Sequence, residues 1–278
     1  MKSVLIAGIS GNLGTNLARN LSREGFVVFG LSRSTNPPSS PFIKRIYANK
    51  EISQSFQHNQ IDFVINAACC YGRAAETDYE MLEGNFFFQL TLLKHAINFS
   101  SKFINITSVV HPSANLYGYT KDIFTDSLNR IGKLNLDFSY TNIFLENIYG
   151  PNESKDKFIK SMLLKLMNDH EIFLSKGWQK RDFLYITDAV NGITQVIVNF
   201  EKLQGNLNII LGSGFSVTIR ELARELKKNT MSNASLIFDG SKQEPTRLIN
   251  RGQYPKLQEL IDWKPEVSLA QGLSEYEY

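Results

Sequence analysis

The sequence predicts an α/β fold, a doubly wound parallel sheet followed by a smaller, mixed C-terminal lobe. Three observations predict it. Short apolar runs of strand length alternate with segments of helical period through the first part of the chain, the pattern of a parallel sheet with helices on both faces. Spaced glycines, Gly8, Gly11 and Gly14, join the first of these runs directly to the first helical segment. After Asn147 the alternation gives way to a mixed pattern of helices and strands.

The elements follow in order. Val4 to Ala7 is a short apolar run behind Met1 and Lys2. It is too short for the core of a secretory leader and no small-residue cleavage site follows, so it reads as a first strand. Leu13 to Arg23 has helical periodicity, and Phe26 to Leu31 is a second strand, ended by the Pro/Ser-rich loop from Ser34 to Pro41. Further strands are expected over Ile43 to Tyr47, Ile61 to Asn66, Phe103 to Thr107 and Phe138 to Phe144, with helices around Tyr79 to Ala96 and Tyr117 to Leu128. Beyond Asn147 come a helix from Lys155 to Met167, a strand from Phe183 to Ile186, and a helix opened by the capping box Thr218-Ile219-Arg220-Glu221. Residues 1–146, with 181–211 returning to them, are expected to form the sheet domain, and 147–180 with 212–278 the second lobe.

Composition narrows the function classes. A chain of 278 residues can bury roughly three quarters of its unfolded surface, enough for one large α/β domain with an appendage. The net charge is +3 and no basic run interleaves with aromatics, so no nucleic-acid footprint is expected. No apolar stretch reaches the length of a membrane span. The two cysteines, Cys69 and Cys70, are adjacent, which disfavours a loop-closing disulfide between them and fits a reducing compartment, so a cytoplasmic protein is expected. No metal site is expected.

The chemistry gathers around Tyr117-Gly118-Tyr119-Thr120-Lys121, nine residues after the Ser108 that closes an expected strand. A Tyr and a Lys four apart share one helix face, so the ammonium can sit beside the phenol and favour its ionised form. A free Tyr, with a pKa of about 10, is a poor proton shuttle at neutral pH, and a fixed cation brings it into range. Most such pairs are only a solvated helix face, and it is the glycine motif that raises this one above that reading. In Gly8-Ile9-Ser10-Gly11-Asn12-Leu13-Gly14 the glycines allow a tight turn, close approach of backbone to a pyrophosphate, and close helix–sheet packing. Where NAD-binding units carry an acidic residue to read the ribose, the second strand here ends Ser32-Arg33, so the 2′-phosphate of NADP is favoured over NAD.

With these motifs the chain resembles the extended short-chain dehydrogenase/reductases, the NAD-dependent epimerase/dehydratase family acting on nucleotide sugars, over essentially its whole length. The resemblance is carried by the glycine fingerprint, by Asn66-Ala67-Ala68 and Asn85, by Ile106-Thr107-Ser108, and by Asn147-Ile148-Tyr149-Gly150-Pro151. It continues through Gly177 to Asp188, with Arg181-Asp182-Phe183, and through Asp262-Trp263-Lys264-Pro265 with the following Gly272-Leu273. It implies a Rossmann-type first domain and a nucleotide-sugar-binding lobe. It also implies Tyr117 as general acid/base, Lys121 as the group that lowers its pKa and binds the nicotinamide ribose, and Ser108 as the partner of the reacting sugar oxygen. The cofactor would lie against Gly8, Ser10, Gly11, Asn12, Leu13, Gly14, Arg33, Asn66, Ala67, Ala68 and Asn85. Asn147, Lys157, Phe158, Arg181, and Arg247 or Arg251 would bind the sugar nucleotide. Arg181 with Asp182 reads equally as a structural ion pair. A homodimer through the helices near Asn85 to Phe99 and Tyr117 to Arg130 is also implied.

Departures from the family pattern sharpen the reaction. The gap between Ser108 and Tyr117 is short, and His111 within it reads as a bystander. Cys69-Cys70-Tyr71-Gly72-Arg73 replaces the usual loop, and its Tyr and Arg read either as substrate contacts or as a solvated turn. Family 4,6-dehydratases carry an Asp-Glu pair beside the catalytic Ser or Thr, whereas Val109-Val110 follows Ser108, so dehydration is disfavoured. Reduction of a 4-keto sugar and 4-epimerisation are left, and Arg33 favours the first. Residues 144–151, 156–159 and the Tyr71-Gly72-Arg73 loop look most like the CDP-3,6-dideoxyhexose (abequose/paratose) synthases, which are 4-ketoreductases of polysaccharide sugar synthesis. An NAD-dependent 4-epimerase is the first alternative, and a non-catalytic dinucleotide-binding redox sensor the second.

Overall fold

The structure is a computed structural model that describes residues 1–34, 40–73, 75–168, 170–203, 206–240 and 254–276. In chain order its first elements are β1 (Ser3–Ala7), α1 (Asn12–Arg23), β2 (Val27–Ser32), β3 (Arg45–Ala48), α2 (Ile52–Gln57), β4 (Phe63–Asn66) and α3 (Asp78–Leu82). A single π-helical turn (Glu83–Phe87) leads into α4 (Phe88–Asn98), β5 (Lys102–Ser108), α5 (Leu116–Leu134), β6 (Tyr140–Leu145), β7 (Asn147–Tyr149), α6 (Phe158–Asn168) and β8 (Glu171–Leu174). Then follow β9 (Lys180–Tyr185), α7 (Ile186–Val198), β10 (Leu207–Leu211), β11 (Ser216–Thr218), α8 (Ile219–Asn229), β12 (Ser235–Phe238), α9 (Leu257–Leu260) and α10 (Leu269–Ser274). Among the described residues no helix is long and apolar enough to cross a membrane.

The chain divides into two units, the first comprising Met1–Leu145, Val190–Leu211 and Leu248–Trp263. It holds a seven-stranded, wholly parallel sheet in the order β10-β6-β5-β4-β1-β2-β3. This is a doubly wound Rossmann-type sheet, whose strand order reverses between β1 and β4. Leu5, Ala7, Phe29, Leu31, Val64 and Phe103 form one buried face, packed under Leu92, Leu93, Phe124 and Leu128 of α4 and α5. Burial on both faces explains the unbroken apolar reading of these strands.

One row of the sheet is polar. Asn66, Asn105, Asn142 and Asn208 sit at one register on four neighbouring strands. Asn66 Nδ2 donates to Asn105 Oδ1 at 2.9 Å, Asn105 Nδ2 to Asn142 Oδ1 at 2.8 Å, and Asn142 Nδ2 to Asn208 Oδ1 at 2.8 Å. Asn142 Nδ2 also donates to Asn129 of α5, at 2.9 Å. Asn66, Asn105 and Asn142 thus each donate to the next strand, while Asn66 Oδ1 at the end of the row is buried without a partner.

The second unit, Glu146–Ala189, Gly212–Arg247 and Lys264–Tyr278, has a three-stranded sheet β11-β9-β7 and a parallel pair β12-β8. Its core gathers Ile159, Met162, Leu163 and Leu166 of α6 with Ile219, Leu222, Ala223 and Leu226 of α8. Thr218 caps α8 through the expected capping box with Glu221. The expected strand Phe183 to Ile186 is displaced to Lys180–Tyr185, and Ile186 opens α7. Because β9 pairs with β7 and β11, the segment expected to return to the sheet domain near residue 181 does so only from Val190. The helix expected around Tyr79 to Ala96 is instead two helices joined by the π turn.

Candidate active site

The loop from Gly8 to Gly14 sits at the carboxyl ends of β1 and β4, where the strand order reverses. Gly8 has φ +80°, and a Cβ there would lie 2.8 Å from Ala67 O and from Ala68 Cα. A Cβ on Gly14 would lie 2.2 Å from Gly8 O. Only glycine lets this loop fold against β4 and against the start of α1. The Gly8 and Ile9 N–H groups both donate to Leu31 O, at 3.2 and 3.3 Å, tying the loop to β2. α1 begins at Asn12, with Gly11 at its N-cap position offering no side-chain cap and with no acidic residue in the first turn. Its leading N–H groups and the positive end of its dipole therefore suit an anion. This cradle fits the pyrophosphate of a dinucleotide.

At the end of β2, the Ser10 hydroxyl lies 3.4 Å from that of buried Ser32, which accepts the Ser34 N–H at 3.1 Å, and Arg33 is exposed beside them. Asn12 accepts from Asn16 one helical turn on, at 3.0 Å, and Leu13 is half-buried at the start of α1.

The catalytic trio of the sequence reading comes together within the first unit. Ser108 ends β5 and accepts the Val110 N–H at 3.2 Å, which leaves its own proton free to donate. The short loop to α5 is held by Asn115, whose Oδ1 accepts the Gly118 N–H at 2.8 Å, and it lies tightly on the helix because Gly118 has no side chain. A Cβ at Gly118 would meet His111 O at 2.7 Å and Val110 Cγ1 at 2.9 Å. His111 is occupied locally, its Nδ1 accepting the Ser113 N–H at 3.1 Å. Tyr119 is exposed.

Burial pushes the Tyr117 phenol well above its ordinary pKa; Cys69 and Tyr71 add to the rise, and a hydrogen-bonding contact from Ser108 opposes it. Burial, with Cys69 and Tyr71, outweighs at this phenol the lowering expected from Lys121. Lys121 is 4 % exposed and its Nζ donates to Ile106 O at 2.7 Å, while burial lowers its own pKa and Cys69 opposes that. Desolvation of the phenolate outweighs a cation that is aimed at a backbone carbonyl.

Two residues expected at the cofactor do other work. Asn85 is fully buried in the π turn, where its Oδ1 accepts Cys70 N–H and its Nδ2 donates to Cys70 O, both at 2.7 Å. The same Nδ2 reaches Thr120 Oγ1 at 3.1 Å, and Thr120 in turn donates to Tyr117 O at 3.0 Å. Asn85 thus clamps the Cys69–Tyr71 loop to the helix that carries Tyr117 and Lys121. The Asn66 side chain belongs to the buried asparagine row, so Ala67 and Ala68 are what β4 presents to the glycine loop.

That clamped loop is the part the sequence reading left open. The Tyr71 and Tyr117 rings lie 5.1 Å apart, and the Arg73 guanidinium stands 5.0 Å over the Tyr71 ring. Burial raises the pKa of the Cys69 thiol, and Lys121, Tyr117 and Tyr71 oppose the rise. The available signal was two cysteines directly after a buried strand, a poor composition for a solvated turn.

In the second unit, Asn147 Nδ2 donates to Asp182 O at 3.0 Å, stapling β7 to β9. The Asp182 carboxylate accepts from Ser213 N and Oγ at 2.9 and 2.7 Å and from Gly214 N at 2.8 Å, so it holds the turn before β11. Arg181 is half-buried near Glu146. Lys157 Nζ donates to Ile148 O at 2.9 Å, and Phe158 packs on the core of this unit. Arg247 and Arg251 lie outside the described residues.

A glycine cradle at a strand-order reversal, with a Ser, a Tyr and a Lys gathered beside it, defines a dinucleotide-dependent enzyme class. The chain belongs to the NAD dependent epimerase/dehydratase family, whose profile matches residues 4–212. It is 24% identical to the CDP-abequose synthase of Salmonella muenchen, over 98% of this chain and 96% of that protein. It is 23% identical to the GDP-L-colitose synthase of Yersinia pseudotuberculosis, over 98% of this chain and 95% of that protein. Among solved structures, an epimerase from Methanothermobacter thermautotrophicus superposes with a TM-score of 0.81 at 21% identity, covering 99% of this chain and 90% of that one, and so shares its fold.

Proposed function

We propose that the protein is an NADPH-dependent reductase of a nucleotide-linked 4-keto-6-deoxysugar, acting at C4 in bacterial polysaccharide sugar biosynthesis. The observation that carries this reading is Tyr117 set against Ser108. The Ser108 hydroxyl acts on the Tyr117 phenol and opposes the rise that burial gives its pKa, so the two can face one ketone oxygen and Tyr117 can give it a proton. Bound NADPH would supply the hydride to C4, and the chain supplies position, charge and the proton.

The Gly8–Gly14 loop and the start of α1 hold the pyrophosphate, while Arg33 with Ser10 takes the 2′-phosphate. Ala67 and Ala68 wall the same cleft. Ser108, its oxygen engaged by Val110 N–H, donates its proton to the sugar C4 oxygen and fixes that oxygen against Tyr117. Tyr117 then delivers the proton, and Lys121 would compensate the phenolate and bind the nicotinamide ribose. Asn147, Lys157, Phe158 and Arg181 of the second unit carry the nucleotide part. Val109, buried after Ser108, offers no acid for dehydration. The similarity to a CDP-abequose synthase and a GDP-L-colitose synthase supports a deoxysugar nucleotide and leaves the base to be found by trial. A homodimer through α4 and α5 belongs to the same proposal; Phe87 and Tyr119 are exposed beside those helices.

The test is incubation with NADPH and a panel of CDP-, GDP- and dTDP-linked 4-keto-6-deoxysugars, following the nicotinamide absorbance. Loss of absorbance with one of them, abolished in Tyr117→Phe, is expected. The family name and the likeness to a solved epimerase favour 4-epimerisation as the second reading. Interconversion of 4-hydroxy sugar nucleotides with no net loss of NADPH would establish it instead. A non-catalytic sensor would bind the dinucleotide and do neither.

A further inference from the structure

We propose that Arg220 is a positioning residue for Arg181, holding the backbone of the loop 175–179 so that the Arg181 guanidinium is preset for the nucleotide part of the substrate. This rests on the reading of Arg181 as a nucleotide contact. The loop joins β8 to β9, and the start of α8 receives its carbonyls one after another. Arg220 Nε and Nη2 both donate to Lys176 O, at 3.2 and 3.0 Å. The Arg220 backbone N–H donates to Gly177 O at 3.0 Å, and the Ile219 N–H to Gln179 O at 3.2 Å. The two leading N–H groups of α8 are therefore spent on this loop. Gly177 has φ +73°, and a Cβ on it would stand 3.2 Å from both Arg220 N and Arg220 Cβ, so glycine is what lets the loop lie this close.

The guanidinium is fixed by aromatic rings as well as by that carbonyl. Its carbon lies 4.4 Å from the centre of the Trp178 ring and 4.2 Å from that of Phe238 on β12. A planar cation stacked on two rings, with two donors on one carbonyl, is held in an orientation that a lysine ammonium would not reproduce. Trp178 is 63 % exposed, so its ring stays at the surface with this cation as its partner. Arg181 is tied to the same backbone. Its Nη1 donates to Lys180 O at 2.8 Å, and it pairs with Val217 of β11, just before α8 begins. β9 already lies between β7 and β11, so the strand does not need the clamp to stay in place. What the clamp adds is a fixed direction for the carbonyls leading into Lys180, on which the Arg181 fork rests. A guanidinium preset in this way loses less side-chain freedom on meeting an anionic nucleotide than a mobile one does.

The clamp is read on the full-length protein through Trp178, in a Trp263→Phe background that leaves it the one tryptophan. Arg220→Ala should lower the fluorescence anisotropy of Trp178 with the circular dichroism spectrum unchanged; unchanged anisotropy overturns the clamp. Its effect on Arg181 is read by calorimetric binding of CDP, GDP and dTDP. For whichever of these the parent protein binds most tightly, Arg220→Ala and Arg220→Lys should each weaken binding by roughly 5–10-fold, with NADPH affinity unchanged. Added to Arg181→Ala, Arg220→Ala should cost no more than about twofold further, because it acts through Arg181. Losses that multiply overturn the positioning role, as does full affinity in Arg220→Lys, which would make the charge and not the fork what counts. Where Arg220→Ala does not fold, Gly177→Ala, which strains the loop and leaves Arg220 in place, decides through the same cycle. If none of the three nucleotides binds the parent protein, or if Arg181→Ala binds as tightly as the parent, the reading of Arg181 fails and takes this proposal with it. If Arg181→Ala weakens binding and Arg220→Ala does not, that reading stands and the positioning role alone is lost.

Discussion

At Gly14 a methyl group would be placed 2.2 Å from the Gly8 carbonyl oxygen, closer than any real contact allows. Gly14→Ala is expected to cost roughly 1–3 kcal/mol of stability and to weaken dinucleotide binding, read by thermal melts and cofactor titration. Arg33 stands exposed at the end of β2 beside Ser10 and Ser32. Arg33→Ala is expected to weaken NADPH by about tenfold or more while leaving NADH nearly unaffected. Equal losses for the two would remove Arg33 from the 2′-phosphate. Tyr117→Phe should reduce kcat by about 10²–10⁴-fold with the fold intact, by steady-state assay and circular dichroism. Spacing together with the glycine motif and the family resemblance made Ser108, Tyr117 and Lys121 legible, since a strand end and a helical four-residue step fix where such side chains fall. It could not show which way the Lys121 ammonium turns or that burial outweighs it at the phenol.

At the scale of elements, the asparagine row is an all-or-nothing device. Asn105 on β5 accepts from Asn66 and donates to Asn142, so Asn105→Ala orphans one buried group on each neighbouring strand. A loss of about 2–4 kcal/mol is expected in denaturant unfolding, far more than for Ser127→Ala on half-buried α5 surface. The helix beginning at Ile219 was legible from its capping box, and Thr218→Ala should cost about 1 kcal/mol. The π turn was not legible. Asn85 needs the Cys70 backbone, fifteen positions away in sequence, as its partner, and no local periodicity encodes that. Likewise, the Phe183 to Ile186 expectation followed apolar content, whereas pairing with β7 and β11 set β9 at Lys180–Tyr185.

At the scale of the whole molecule, the second unit closes on itself near the chain's end. Tyr276 donates to Glu153 Oε1 at 2.7 Å and accepts Gly150 N–H at 2.9 Å. Burial raises the pKa of Glu153, and the Tyr276 hydrogen bond opposes it; burial likewise raises Asp188, opposed by the backbone N–H of Val267. Both carboxyls hold their protons to higher pH folded than unfolded. Their contribution to stability is therefore full below the ordinary carboxylate range and is lost as pH rises through the folded pKa. Paired Glu153→Gln and Asp188→Asn changes should flatten the melting temperature against pH on the weakly acid side. An unchanged slope would exclude these two groups as its source.

The sequence by itself determined the doubly wound sheet, the glycine cradle and the positions of Ser108, Tyr117 and Lys121. These follow from short-range periodicity and from the steric freedom of glycine. Only the tertiary structure decided that Asn66 lies in a buried row, that Asn85 clamps a loop, and that Tyr71 stands beside the Tyr117 ring. Each of those roles is a hydrogen bond or a burial shared with a residue distant in sequence, and such partners exist only once the chain has folded.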